Sequence, residues 1–235
     1  MKKLIILVAI LGMSSLAYGQ TLDEIVNRSY VATGADKLEK AGTIFIEGTM
    51  IQMGIEMPMT MIMKKPDKVK VSINYNGMDI ITVFDGVKGY TVNPIMGVTE
   101  PVEVPQEQLE EIKSSNMFRN ELMEYYRKGK LTLAGTEDVN GKPAFKLMET
   151  NENGSQAYVF IDKETYLTVK TAAKVSQMGQ EMDVESYIKE YSDVQGIKFP
   201  KLTVSFINGS EAGSMTMDKI EIDRVVEDSV FSIKK

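Results

Sequence analysis

The sequence predicts a mainly β fold of the α+β class: a strongly curved antiparallel sheet of about eleven strands, lidded by helices. Three observations carry this. Short β-rich runs recur at regular spacing, Asn-Gly and related pairs separate them, and helical periodicity is confined to two places. A twisted antiparallel sheet of that width does not stay open and flat. It curls, and its inner surface is too wide to be filled by its own side chains.

The chain of 235 residues opens on Lys2 and Lys3, an unbroken apolar run from Leu4 to Leu11, and Ala17-Tyr18-Gly19. That is the pattern of a signal peptide over residues 1–19, cleaved near Gly19/Gln20, and it places the mature chain, 20–235, in the periplasm as a single domain. The run is shorter than the roughly 20 apolar residues that a permanent membrane helix needs. Leu22, Ile25, Val26 and Tyr30 then share one helical face, with Asp23 and Glu24 in the first turn and Gly34 as a stop; Asp36 to Lys40 adds a turn.

From Thr43 the period changes to two. Ile44 and Ile46, the alternating Met57, Met59, Met61 and Met63, Val69 to Ile73, Met78 to Phe84 and Val87 to Val92 read as strands. Lys65-Pro66-Asp67, Asn76-Gly77 and Asp85-Gly86 divide them. Pro94, Gly97, Pro101 and Pro105 predict an irregular stretch. Gln106 to Lys128 is helical, with Leu109, Ile112, Met117, Phe118, Leu122 and Tyr125 as its stripe and Ser114-Ser115-Asn116 as a break between two short helices. Seven strands follow, over Leu131–Thr136, Ala144–Glu149, Ala157–Ile161, Tyr166–Val175, Met182–Tyr191, Phe199–Ile207 and Met215–Asp223.

Composition excludes several classes. A net charge of −6 with mixed signs does not suit nucleic acid. With no histidine and no cysteine, the usual general base, the thiolate nucleophile and the common zinc ligands are missing. Disulfides and a lipid-modified cysteine are excluded too. Asp138-Val139-Asn140-Gly141 starts like a calcium loop but lacks the later ligands, so it reads as a hairpin turn. We expect no enzyme, no metal and no cofactor.

Methionine is the unusual feature: seventeen are present, and Met50, Met53, Met57, Met59, Met61, Met63 and Met78 crowd one stretch. Three readings stand side by side. The methionines pack an ordinary core, they form a pliable wall for apolar ligands such as acyl chains, or they offer soft thioethers to Cu(I). On the second reading, Met50, Met57, Met59, Met61 and Met63 line an apolar cavity together with Leu109, Ile112, Phe118 and Leu122.

Several stretches carry a family likeness. They are Tyr30-Val31-Ala32-Thr33-Gly34 with Lys37-Leu38, Met57-Pro58-Met59, and Lys64-Lys65-Pro66-Asp67-Lys68. Phe84-Asp85-Gly86-Val87-Lys88-Gly89-Tyr90 and Asn93-Pro94 follow, then Asp162 with Tyr166-Leu167. Val194-Gln195-Gly196-Ile197-Lys198-Phe199-Pro200 and Asp228-Ser229-Val230-Phe231 complete the set. On these the chain resembles the outer-membrane lipoprotein-sorting proteins of the LolA/LolB-like superfamily, especially the divergent periplasmic forms common in Bacteroidetes. The resemblance implies an incomplete β-barrel of about eleven strands whose helices lid an apolar cavity. It also implies a chaperone-like carrier of acylated lipoprotein or lipid cargo, with transport partners in the inner and outer membranes. An arginine near the cavity and a C-terminal extension, both features of the best-known carrier, have no counterpart placed here. A sensor or interaction domain using the same fold is the alternative from another class.

Overall fold

Thr21 starts the first helix, α1 (Leu22–Thr33): its hydroxyl accepts from the Glu24 amide, and the Glu24 carboxylate accepts from the Thr21 amide. Such a reciprocal cap contributes about 1 kcal/mol. The computed structural model describes residues 20–114, 116–177 and 179–233. The expected signal peptide, together with Ser115 and Met178, lies outside the described residues. Gly34 ends α1 at a φ of +70°, and a Cβ there would collide with the carbonyl oxygen of Gly196. Only glycine meets both conditions. One further turn, α2 (Ala35–Leu38), leads into the sheet.

Six strands come first: β1 (Thr43–Gln52), β2 (Ile55–Lys64), β3 (Lys68–Tyr75), β4 (Met78–Phe84), β5 (Gly89–Asn93) and β6 (Val98–Glu103). Helices α3 (Gln106–Ser114) and α4 (Glu121–Arg127) intervene. Seven strands close the chain: β7 (Leu131–Val139), β8 (Lys142–Thr150), β9 (Gln156–Asp162), β10 (Thr168–Gln177), β11 (Gln180–Val194), β12 (Ile197–Ile207) and β13 (Ser210–Ile222). Asn76-Gly77, Asn140-Gly141 and Asn208-Gly209 all turn with positive φ at both residues, the geometry that matches the twist of a two-residue hairpin.

All thirteen strands form one antiparallel sheet in the order β6-β5-β4-β3-β2-β1-β13-β12-β11-β10-β9-β8-β7. Every neighbour pair is consecutive in the chain except β1 with β13. The free edges are therefore β6 and β7, and the α3–α4 crossover joins them.

The count corrects the expectation of about eleven strands. The methionine alternation and the run before Asn93 form the expected strands, β2 and β5, and the strand not foreseen is β6, in the stretch read as irregular. Pro101 lies within β6, which a central strand would not tolerate. At an edge the missing N–H faces away from the ladder, and the register shifts between Thr91 and Asn93 to accommodate it. Val87 stays outside β5, in a turn where the Asp85 carboxylate accepts from the amides of Val87 and Lys88.

The helices cover one face of the sheet, called the inner face below. Under α3, the fully buried Ile44, Ile46, Met63, Phe84 and Phe199 form a cluster with Val104, Leu109 and Phe118. Under α1 and α4, a second cluster joins Ile25, Val26 and Met123 to Leu131, Phe145, Leu147 and Ile161. Burying each large side chain contributes roughly 1.5–3 kcal/mol. A small third cluster, Val139, Ala144 and Phe160, lies on the opposite face, where the Lys146 and Lys170 ammonium groups sit over the Phe160 ring. After β13 the chain turns back over β3. Asp228 bridges Lys64 at 2.7 Å and Lys68 at 2.8 Å, which holds its carboxyl down to about 2, and Phe231 is buried behind it.

Gly34 and Gly77 allow a clean comparison, because both have positive φ but a Cβ at Gly77 meets nothing. We expect Gly77→Ala to cost about 1 kcal/mol in urea unfolding and Gly34→Ala clearly more, roughly 2–4 kcal/mol. Equal losses would mean that the α1 terminus is not pressed against the β11–β12 turn.

Candidate functional site

Strand register decides what faces inward. Met63 lies opposite Ile44 and Val69, Met61 opposite Ile46 and Val71, and Met59 opposite Gly48 and Ile73. Met57 lies opposite Met50, Met50 opposite Met215, and Gly48 opposite Met217. Alternation puts all of these on the face that carries Ile44, Ile46 and Met63, so seven methionines from β13, β1 and β2 share the inner face. Met57, Met59, Met63 and Met217 are buried; Met50, Met61 and Met215 are half-buried. Gly48 sits where β1 slips register against β13, and a Cβ there would strike the Thr216 carbonyl oxygen.

There is a gradient along this face. Nearest the helices the row is mostly branched or aromatic, with Met63 among Ile222, Ile44, Val69 and Phe84. Farther toward the hairpin turns the row is Met215, Met50 and Met57. One step beyond it, Thr171, Ser186 and Ser205 face inward in register, with the two serine hydroxyls 2.9 Å apart.

The structure brings together Met61, Met63, Leu109, Ile112 and Phe118 in one cluster. Met50, Met57 and Met59 extend the same face beyond it. Leu122 is elsewhere, packed with α1 in the second cluster, because the chain turns between α3 and α4.

Two residues that seat the lid were not singled out as site residues. Gly89 is where Leu109 rests: a Cβ at Gly89 would overlap the Leu109 side chain. Asn116 is buried at the break, where its amide oxygen accepts from the Phe118 amide at 3.0 Å and its nitrogen donates to the Pro66 carbonyl at 3.4 Å. It ties the crossover to the β2–β3 turn and aims Phe118 inward. The only sequence signals are a glycine at a strand start and an asparagine in a helix break.

A cavity of about 420 Å³ lies beside α4, lined by Asn116, Met117, Arg119, Glu121, Glu124, Tyr125, Lys128, Lys130 and Glu152. Close to it, Glu149 projects from β8 on the same side as Phe145 and Leu147 and is only 8% exposed. Burial, and then the neighbouring Glu121 carboxylate, push the Glu149 carboxyl up to about 7. A second groove of about 480 Å³ opens on the opposite face with a mixed lining, Pro58 and Met59 beside Glu47, Thr60, Ser72, Asn74, Asp79 and Asp218.

No family model and no curated protein matches this chain. Solved structures do. A DUF1329 family protein from Desulfovibrio piger superposes with a TM-score of 0.59 at 13% identity, over 88% of this chain and 97% of that one. A LolA superfamily protein from Nitrosomonas europaea gives 0.58 at 12% identity, over 92% and 99%. A domain assigned as an outer membrane lipoprotein-sorting protein from Vibrio parahaemolyticus gives 0.58 at 12%, over 88% and 97%. The sheet order, the open edges and the helical crossover define a helix-lidded open antiparallel barrel. That fold is shared with these solved structures, a LolA superfamily protein among them.

Glu149 makes the stability of the chain pH-dependent with a definite sign. Its folded value is raised, so the neutral folded form is favoured: the contribution is complete below pH 4.5 and is lost as pH rises through about 7. Between pH 5 and pH 8 we expect Glu149→Gln to gain roughly 2 kcal/mol on the wild type, allowing for solvent screening. Urea unfolding at the two pH values measures this, and parallel wild-type and variant curves would contradict it.

Proposed function

We propose that this protein is a periplasmic carrier that takes up the acyl chains of lipoproteins or lipids against its methionine-lined inner face and moves them toward the outer membrane. The observation that carries this reading is the register of β13, β1 and β2, which gathers seven thioethers on the face that α3 lids. Each methylene moved from water to such a wall gains about 0.8 kcal/mol, so one buried chain suffices for tight binding. Unbranched thioethers repack around chains of different length. Release is served by the lid, since α3 has 9 residues and α4 has 7, too short to be stable off the sheet. The seating of Leu109 on Gly89 is then the contact that opens.

The fold shared with the Vibrio lipoprotein-sorting domain supports the same reading, as does the leader-like start of the sequence. Donor and acceptor partners in the two membranes belong to it.

The test is uptake of acylated lipoprotein or lipid by native mass spectrometry. Met59→Asp and Leu109→Asp place charges at buried positions, and Met50→Asp does so at a half-buried one that the fold tolerates better. We expect all three to lower uptake at least about tenfold, with Met50→Asp retaining the wild-type circular dichroism. Full uptake by a folded Met50→Asp would sink the assignment of the wall.

One observation favours a second reading. A single strand cannot close three thioethers on one ion, because alternate residues stand nearly 7 Å apart. Met215, Met50 and Met57, however, lie abreast on three strands, with Cβ atoms about 5 Å from their neighbours. Cu(I) titration monitored by competition with a chromogenic chelator tests it. Stoichiometric binding lost in Met50→Leu supports the metal reading, and no competition ends it.

A further inference from the structure

Acyl binding leaves unexplained the charge pattern of the cavity beside α4. Six charged side chains line it, three of each sign: Arg119, Lys128 and Lys130 against Glu121, Glu124 and Glu152. Four are already matched, Arg119 with Glu124 at 2.6 Å and Lys130 with Glu152 at 2.5 Å. Glu121 and Lys128 remain on the wall, and Glu149 is buried nearby, close enough to Glu121 and Tyr125 to act on both electrostatically. Among the described residues, no ion pair joins Glu121 or Glu149 to a basic side chain.

Glu149, buried with no cation paired to it, carries an unmet demand at the edge of the cavity. Both carboxyls are held above their ordinary range, Glu149 by burial and the Glu121 charge, and the more exposed Glu121 by desolvation and Glu124 against the opposing pull of Arg119. A donor bearing positive charge reverses that demand, and a charge-assisted N–H···O bond is among the strongest such contacts. The cavity falls within the ~300–1,000 Å³ range of small-molecule sites. Its position matters as much as its charge. Met117 packs against the α3 cluster and Tyr125 against the α1–α4 cluster, so the cavity lies at the seam between the two apolar regions of the inner face. A polar group seated there leaves attached acyl chains free to follow that face.

We propose that this cavity is a head-group site for an amino lipid, with Glu149 and Glu121 accepting from a primary ammonium and Lys128 beside the accompanying phosphate. The proposal rests on the lipid-carrier reading and narrows its substrate class to amphiphiles of the phosphoethanolamine type. The intramolecular pairs Arg119–Glu124 and Lys130–Glu152 frame the site and need not break.

The experiment offers the full-length mature protein vesicles of phosphatidylethanolamine or of phosphatidylglycerol with the same acyl chains, and reads bound lipid by native mass spectrometry. The two lipids share chains and phosphate and differ in the ammonium. We expect uptake of the amino lipid to exceed that of the glycerol lipid roughly tenfold, the value of one hydrogen bond to a charged group. Glu149→Gln combined with Glu121→Gln should erase the preference without lowering phosphatidylglycerol uptake, and circular dichroism confirms that the variant is folded. Equal uptake of the two lipids by the wild type, or a preference that survives both substitutions, would overturn the head-group site and leave acyl carriage intact. No uptake of either lipid would overturn the carrier reading along with it.

Discussion

The pairing of β1 with β13 organises everything else in this molecule. All other strand neighbours are joined by short connections and form wherever the local turn dictates. This one joins residues 44–52 to 213–222, with a register slip at Glu47/Gly48 that bends β1. By placing the first and last strands at the centre, it leaves β6 and β7 as the two edges. Those edges are consecutive in sequence, so the chain between them must cross from one end of the sheet to the other. The crossover carries α3 and α4, and it can bury their apolar sides only by lying against the inner face.

The same pairing makes the methionine wall. Met215 and Met217 are distant in sequence from the Met50 to Met63 stretch, yet β13 brings them abreast of it. Branched and aromatic side chains dominate the rows beneath the helices, with Met61 and Met63 among them, and the row of Met215, Met50 and Met57 beyond is all thioether. That division suits a lid that must seat reproducibly over a surface that adapts. Glu149 belongs to the same face but breaks its chemistry, which is why its ionisation bears on both stability and ligand choice.

Much of this was legible in the sequence because hairpin information is local. Asn76-Gly77, Asn140-Gly141 and Asn208-Gly209 specify their turns by the φ they require, and Thr21, Glu24 and Gly34 specify both ends of α1. The alternation of Met57, Met59, Met61 and Met63 fixed a common face, and register shows that face to be the inner one. Long-range facts were not legible. Pro101 hides β6, since a proline excludes a strand only when that strand is central, and edge position is a property of the whole sheet. Leu122 fits the helical stripe with Leu109, but a turn of a few residues sends it to another cluster. Glu149 did leave a trace, as the charged residue in phase with Phe145 and Leu147, although phase alone does not say that α4 covers it.

The central claim, that acyl chains lie against the inner face of β13, β1 and β2, is tested most directly by photocrosslinking. A lipid with a diazirine near the end of its acyl chain is bound, irradiated and mapped by peptide mass spectrometry. The account predicts labels on the peptides carrying Met50 to Met63 and Met215 to Met217, with Met50→Asp abolishing them. Labels confined to the opposite face, around Phe160 and Tyr187, would contradict it.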